Sequence, residues 1–402
     1  MRVIVIGGGA AGFFAAVNIA EKNSDAQITI LEKTSKLLQK VKVSGGGRCN
    51  VTNDRSKPSD LVPFYPRGNK KLHSLFKQFS TNYMVDWLLD HGVQTKTEDD
   101  LRIFPITDSS QTIIDCFLKA ARKYHVKIKQ NQHWTNISQQ NQKWIVDTKE
   151  ESFEAEKVVI STGSSQSSWN ILRNLGLAIT PIVPSLFTFN IKDERLANLQ
   201  GISFDDVSVK ITGSKLSEDG PLLITHWGLS GPAILKLSSR GAYELHDQQY
   251  QFEILINFTS YPPEEFRNGL LSYKASNPKR KVVNYPLFEI PKRFWERICD
   301  FANIDPGTPY NELSKKQINK LTEELTQGRY KVNGKSTFKE EFVTAGGVDL
   351  SEIDLDTFEC KRFPGLYLAG EVLNIDALTG GFNFQACWSG GWAISESIAS
   401  KP

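Results

Sequence analysis

The sequence predicts an α/β protein in which one parallel-sheet domain is interrupted by an insert. Three observations point there. Near the start, a β-branched run, a glycine cluster and an apolar stretch of helical character follow one another. Near the end, a strand-like run, two glycines and a second apolar stretch repeat the pattern. Between them, from about Pro184, the chain changes to short alternating runs separated by turn residues, as antiparallel β structure requires.

The first segment can be justified residue by residue. Arg2–Ile6 (RVIVI) is the β-branched run of a strand buried on both faces. The cluster Gly7, Gly8, Gly9, Ala10, Ala11, Gly12 follows and fits GxGxxG at Gly7, Gly9 and Gly12. Residues 13–21 read as a helix, and Gln27–Leu31 (QITIL) as a second strand that ends at Glu32. In such a unit Gly7 permits the turn, Gly9 lets a pyrophosphate approach, and Gly12 lets helix and strand pack closely. The helix N-terminus offers free N–H groups and partial positive charge to the phosphates. Glu32, about 20 residues beyond Gly12, is placed to hold both hydroxyls of an adenosine ribose. An acid there disfavours a 2′-phosphate, so the expected ligand is NAD or FAD rather than NADP. A basic residue before an apolar run also opens a secretory signal, but three consecutive glycines weaken a membrane-inserting helix. No other run approaches spanning length, and the expectation is a soluble, cytoplasmic protein without a membrane partner.

A second glycine run, KVSGGGRCNVTN at residues 42–53, decides between the two dinucleotides. An early glycine-rich loop after the second strand suits FAD, whose ribityl-flavin half needs another backbone cradle. Ser44 to Gly47 are placed to lie against the isoalloxazine, with Lys40 and Arg48 supplying positive charge for phosphate or reduced flavin. Near the end of the chain, residues 365–369 (GLYLA) read as a strand running into Gly370 and Glu371. Gly380 and Gly381 then open a closing helix over Phe382–Ala399, whose N-terminus would stabilise an anionic reduced flavin.

Taken together, GGGAAG, VSGGGRCNVTN, THWGLSGPA and AGEVLNIDALTGGFNFQ resemble the HI0933-like bacterial flavoproteins, a family with aminoacetone-oxidase-like and 3-dehydro-bile-acid-reductase-like members. The resemblance spans essentially the whole chain. It implies non-covalent FAD in a glutathione-reductase-like, Rossmann-type domain. Gly7, Gly9, Ala11, Gly12, Glu32, Lys33, Lys40, Ser44, Gly46, Gly47, Arg48 and Asn50 fall on its N-terminal flavin motifs. Gly370, Glu371, Gly381, Phe382, Asn383 and Gln385 fall on the C-terminal one. Trp134 stands where a backbone contact to adenine is expected, and Thr162 and Gly163 end the strand-like run before residue 164. The chain departs from the pattern twice: the loop at residues 164–172 (SSQSSWNIL) is short, and Asn374 stands where many relatives have Asp.

The expected boundaries are 1–185 and 336–402 for the two FAD-domain segments and 186–335 for the insert. Within the insert, residues 186–260 read as a β part resembling a small barrel or sandwich, and residues 261–335 as a helical part. The insert is the expected roof of a small-molecule substrate cavity. Thr225, His226 and Trp227 lie in its one stretch dense in polar, aromatic and glycine residues. His226 is a candidate acid/base and Arg48 a candidate flavin-side cation, although a structural turn explains His226 equally well.

Composition sets limits. The 402 residues carry 48 Lys+Arg against 45 Asp+Glu, a net charge of +3, too balanced to suggest a nucleic-acid partner. The cluster Lys279, Arg280 and Lys281 reads as a solvated loop. Five scattered cysteines, none in CxxC spacing, fit a reducing compartment and exclude a dithiol relay, and no histidine pair has metal-ligand spacing. The leading function is an FAD-dependent oxidoreductase moving a hydride through flavin N5. No second GxGxxG follows a strand, so NADH or NADPH enters only as a transient co-substrate. An oxygen-dependent oxidase of a small amine, and a non-catalytic or RNA-modification flavin protein, stay open at this point.

Overall fold

In a computed structural model of the chain, the described residues are 1–336 and 343–400, without the side chain of residue 70. They divide into two compact units, Met1–Val183 with Lys339–Pro402 and Pro184–Phe338, of which residues 337–342 and 401–402 lie outside the description. Each unit has its own hydrophobic core.

The first unit is built on a five-stranded parallel sheet. Its strands are β1 (Arg2–Ile6), β2 (Gln27–Leu31), β3 (Lys127–Lys129), β4 (Lys157–Ile160) and β5 (Leu366–Leu368), in the spatial order β5-β4-β1-β2-β3. From β1 the chain runs outward to β2 and β3, then returns to the other flank for β4 and β5. The order therefore reverses between β1 and β4, and in open α/β sheets a ligand crevice forms at such a switch, beyond the carboxyl ends of the strands.

Two helices pack across this region: α1 (Ala10–Lys22) and α2 (Phe382–Ala399). Helix α1 starts at Ala10, three residues before the expected start, because Gly9 takes the N-cap position with extended angles. The two helices approach closely where small residues meet. A Cβ on Gly391 would come within 3.1 Å of the Ala11 carbonyl oxygen and of the Ala15 nitrogen. Below them Phe14, Trp87, Phe117 and Trp388 form an aromatic cluster, with ring centroids 5.0 Å apart for Phe14–Trp87 and 5.5 Å for Phe14–Trp388. A three-stranded antiparallel meander (Trp134–Gln140, Lys143–Thr148, Ser152–Ala155) leads into β4. Another small sheet joins Thr52–Asn53, Arg102–Pro105 and Thr95–Thr97.

The second unit contains a seven-stranded antiparallel sheet, in the order Gly328–Asn333, Gln251–Asn257, Ser203–Ile211, Ser217–Ile224, Gly228–Ser230, Thr188–Asn190, Lys335–Ser336. The strands at the two ends of that order are consecutive in the chain, joined through Gly334, so the sheet curls round toward itself. Two features differ from the expected β part followed by a helical part. Pro232–Arg240 and Ala242–Asp247 are helices inside the β stretch; the first starts after Gly231, whose φ of +97° breaks the strand, with Pro232 supplying a preset helical φ. The final strands of the sheet come from residues 328–336, after the helices Pro263–Ser276, Lys292–Phe301 and Lys315–Thr326. Among the described residues no helix is long and apolar enough to cross a membrane.

Candidate functional site

The loop after β1 is fixed by contacts that leave no room for larger residues. A Cβ on Gly12 would overlap the Gly7 carbonyl oxygen and lie 2.5 Å from Ser161 Oγ, and one on Gly7 would overlap the Ser161 carbonyl. Ser161 Oγ itself donates to the Ile6 or Gly7 carbonyl, each 3.1 Å away, locking the ends of β1 and β4 together. Gly9 is different. Its φ of −95° suits any residue, and among the described residues a Cβ there meets no non-neighbouring atom within 4 Å.

Glu32, at the end of β2, is half-buried and oriented by backbone donors. Gly8 N–H donates to one carboxylate oxygen at 3.0 Å, and Thr34 N–H and Oγ1 to the other at 2.9 Å each. The Gln132 N–H donates to the Glu32 carbonyl at 2.8 Å, which brings the backbone just before Trp134 beside the same acid. The Trp134 indole is buried, with its N–H donating to Ser168 Oγ at 3.1 Å. Lys33 is exposed.

Beyond β4 and β5 the cluster continues. Thr162 Oγ1 is buried and has no hydrogen-bond partner among the described residues. Gly163 has a φ of +60°, and a Cβ there would lie 3.8 Å from Glu371 Oε2. Glu371 pairs with the Lys40 ammonium, which also lies 3.4 Å from Ser164 Oγ. Gly370 sits against Ala11 and Cys387, between the first turns of the two helices. Both helices begin with glycine N-caps, Gly9 and Gly381, with no side-chain cap and no acidic residue in the first turn. Their free N–H groups and positive dipole ends are left for an anion.

The second glycine run is a left-handed turn. Gly45, Gly46, Gly47 and even Cys49 have φ between +58° and +86°. Gly45 is the tightest: a Cβ there would lie 2.9 Å from Asn50 N and from the Phe104 ring. Gly46 and Gly47 are exposed and, like Gly9, a Cβ on either meets nothing within 4 Å among the described residues. Ser44 Oγ is turned inward, donating to the Val41 carbonyl at 2.9 Å. Burial pushes the Cys49 thiol up to about 12, leaving it protonated and inert. The Arg48 guanidinium faces Glu98 at 2.6 Å and Asp108 at 3.3 Å and lies over the Phe104 ring at 4.0 Å. Its hydrogen bond holds the Glu98 carboxyl below its ordinary value, so the Arg48 charge is largely balanced in place.

Several amides singled out in the sequence clasp the backbone. The Asn50 amide, oriented by its partners, accepts from Gly381 N–H at 3.0 Å and donates to the Thr52 carbonyl at 2.9 Å, tying the second glycine run to the start of α2. Asn383 makes a reciprocal pair with the Ala377 backbone at 2.9 and 3.0 Å. Gln385 is fully buried and takes the Thr52 hydroxyl at 2.6 Å. Phe382 stacks on Phe64 at 4.2 Å. Thr52 and Ser161 are thus positioning residues, and no local sequence signal marks either of them. His226 and Trp227 lie in the second unit, exposed on the turn before Gly228–Ser230. Among the described residues no group of three His, Cys, Asp or Glu could hold a metal ion.

The space beside Gly9, Gly46 and Gly47, the orphaned Thr162 hydroxyl and the uncapped start of α1 fit FAD. Comparison with known proteins agrees. Over its full length the chain is 26% identical to the 3-dehydro-bile acid delta(4,6)-reductase of Clostridium scindens, covering 100% of both chains. It is 28% identical to the ribosomal RNA dihydrouridine synthase of Escherichia coli, over 99% of this chain and 98% of that one. A solved 3-ketosteroid-delta4-(5alpha)-dehydrogenase from Rhodococcus jostii RHA1 shares the fold, with a TM-score of 0.53 at 13% identity over 99% of this chain and 96% of that one. The family model described as the HI0933-like protein Rossmann domain matches residues 1–397, and the chain belongs to that family of flavoprotein oxidoreductases.

Proposed function

We propose that the protein is an FAD-dependent reductase of carbon–carbon double bonds conjugated to a carbonyl, supplied with electrons by NADH or NADPH. The observation that carries the flavin part is Gly9: among the described residues no packing contact requires a glycine there, and no side chain caps the helix it starts. The acceptor class is supported by what two relatives' names have in common. A 3-dehydro bile acid with Δ4,6 unsaturation carries its double bonds in conjugation with a ketone. Uridine, the precursor of dihydrouridine, carries its C5=C6 bond beside the C4 carbonyl. In both, a hydride adds to one carbon and a proton to the other, and the carbonyl stabilises the charge between the two events.

When bound, FAD supplies the two-electron hydride transfer. The chain's residues bind and orient it. Glu32, with its carboxylate fixed by Gly8 and Thr34, takes the ribose hydroxyls. The start of α1 takes the pyrophosphate. Lys40 and Glu371 bring a cation and a carboxylate to the carboxyl ends of β4 and β5, and the Gly45–Gly47 turn presents bare backbone to a flat ring.

The test is anaerobic. NADH or NADPH should bleach the visible flavin absorbance, and adding a 3-oxo-Δ4,6-steroid or a uridine-containing RNA should restore it, with the product heavier by two hydrogens. A flavin that neither nicotinamide reduces overturns the reading. So does a reduced flavin that only oxygen reoxidises, an outcome that would favour the amine oxidase.

A further inference from the structure

We infer that the first unit contains a path for single electrons, from Tyr124 through Trp87 to Trp388 beside the flavin cradle, and that light-excited flavin draws on it. Such a path needs bound flavin, but neither the nicotinamide nor the acceptor proposed above.

At the flavin end, the Trp388 indole N–H donates to the Val51 carbonyl at 2.9 Å, in the second glycine run and next to the Asn50 amide that holds Gly381. Phe384, one turn nearer the start of α2 and half-buried, stacks on the same indole at 5.5 Å. Phe14 and Phe117 each lie 5.5 Å from Trp388, and they meet Trp87 at 5.0 and 5.4 Å respectively. Two buried indoles are thus joined by two parallel bridges, each a single ring. Packing alone would be served by phenylalanine at both positions. An indole brings an N–H that must be satisfied, and the fully buried Asn18 accepts the one from Trp87 at 3.1 Å. Both acceptors are amide oxygens, too weakly basic to take the proton. An indole that loses an electron there keeps its proton and passes the vacancy on.

The far end is built to trap that vacancy. His91 stacks on Trp87 at 3.8 Å, and its Nδ1 donates to the Trp87 carbonyl at 2.8 Å. Its Nε2 is buried and has no hydrogen-bond partner among the described residues, with Glu21 Oε2 4.0 Å away. The other oxygen of Glu21 accepts the Tyr124 hydroxyl at 2.5 Å. The Lys123 ammonium donates to the phenol oxygen at 2.9 Å, so the phenol's own hydrogen is left to Glu21. A phenol loses an electron most easily when its proton leaves too, and here a carboxylate receives it, with an open imidazole nitrogen behind. The rival branch lacks these parts. Phe14 also leads through Phe79 to Trp392, at 5.4 and 4.9 Å, but the Lys22 ammonium, paired with Glu396, lies 3.3 Å over the Trp392 ring and opposes positive charge on it. Tyr83, on the same branch, donates to no carboxylate among the described residues.

Under blue light, Trp388 gives one electron to the excited oxidised flavin. Trp87 refills Trp388, and Tyr124 refills Trp87 as its hydroxyl proton moves to Glu21 Oε1 and from that carboxyl group to His91 Nε2. In sum the flavin gains one electron, Tyr124 loses one electron and one proton, and the Glu21–His91 pair holds the proton. A thiol in solution then restores the half-buried Tyr124 by giving it a hydrogen atom, and two thiyl radicals so formed join as a disulfide. The held proton passes to water through the exposed Glu21.

The experiment is a blue laser flash on the flavin-loaded full chain, without oxygen or nicotinamide, followed by transient absorption in the visible. The wild type should show the bands of a tryptophan radical giving way to the sharper band of a tyrosyl radical. Tyr124→Phe, which removes one oxygen at the surface, should lose the tyrosyl band and shorten the life of the separated charges. Glu21→Gln should keep the tryptophan bands and lose their conversion to tyrosyl. Trp87→Phe should lose both the long-lived charges and the tyrosyl band, whereas Trp392→Phe should behave as wild type. Under steady light with a thiol, reduced flavin should accumulate in the wild type and not in Trp87→Phe. A wild type without a tyrosyl band, a tyrosyl band that survives Tyr124→Phe, or a Trp392→Phe that fails as Trp87→Phe does would overturn the inference. Reduction of an enone by nicotinamide should be unchanged in Tyr124→Phe, and its absence from the wild type would count against the reductase reading alone.

Discussion

Gly12 and Gly9 sit in the same loop, yet one is explained by the protein and the other is not. At Gly12 the Gly7 carbonyl and Ser161 fill the position a side chain would take. At Gly9 the backbone is ordinary and the surroundings are open. In the second glycine run the division is only partial: Gly45 is hemmed in by Asn50 and Phe104, whereas Gly46 and Gly47 have room for a side chain but a left-handed φ that itself favours glycine. A glycine that packing demands reports on the fold; one that packing leaves alone reports on something the protein is built to receive.

Substitutions can break that comparison. Gly12→Val should do the most damage, because the Gly7 backbone, held at the end of β1, cannot move aside. A loss of roughly 3 kcal/mol is expected in denaturant unfolding of the FAD-free protein. A loss within about 1 kcal/mol would mean that the β1–α1 contact is looser than described. Gly9→Val should leave that unfolding curve within about 1 kcal/mol of wild type and weaken FAD binding at least about a thousandfold, roughly 4 kcal/mol. Equal damage to stability and binding would erase the distinction between the two positions. Glu32→Ala sharpens it from the other side of the site, since Glu32 offers contacts where Gly9 offers space. Loss of charge-assisted hydrogen bonds to the ribose should weaken FAD by about 1.5–3 kcal/mol, measured by titration of the apoprotein. An unchanged dissociation constant would remove Glu32 from the ribose.

The same contrast explains what could be read without the structure. Arg2–Ile6, Gln27–Leu31 and Phe382–Ala399 are legible because each is an apolar run bounded by glycine, asparagine or charge, and the signal is local. The start of α1 was placed late because alanines and a glycine carry no amphipathic period. Pro232–Arg240 hid inside a β stretch for a related reason: nine residues show too few helical turns to outweigh the strands on either side. The return of residues 328–333 to the sheet is a pairing across 72 to 82 residues, and residues 335–336 pair with Phe189 and Thr188 still farther back, which no local pattern encodes. The site divides likewise. Glycines announce a cradle, but side-chain direction is decided by distant partners. Nothing near Asn383 reveals that its amide closes on Ala377, and nothing near Arg48 reveals Glu98 and Asp108 opposite it.

The strand order has a consequence for biosynthesis. β1 lies between β2, which follows it closely in the chain, and β4, whose own outer neighbour β5 comes only after the whole of the second unit. Asn50 and Thr52 wait as long for Gly381 and Gln385. The cradle therefore cannot close while the second unit is being made, and that unit, with its own core, can complete its fold first. Pairings of such high sequence separation are slow to form, and they leave strand edges exposed in the interval. A nascent chain halted before Phe382 should be the species that chaperones and proteases meet, and cofactor capture becomes the step that fastens the two segments of the first unit together.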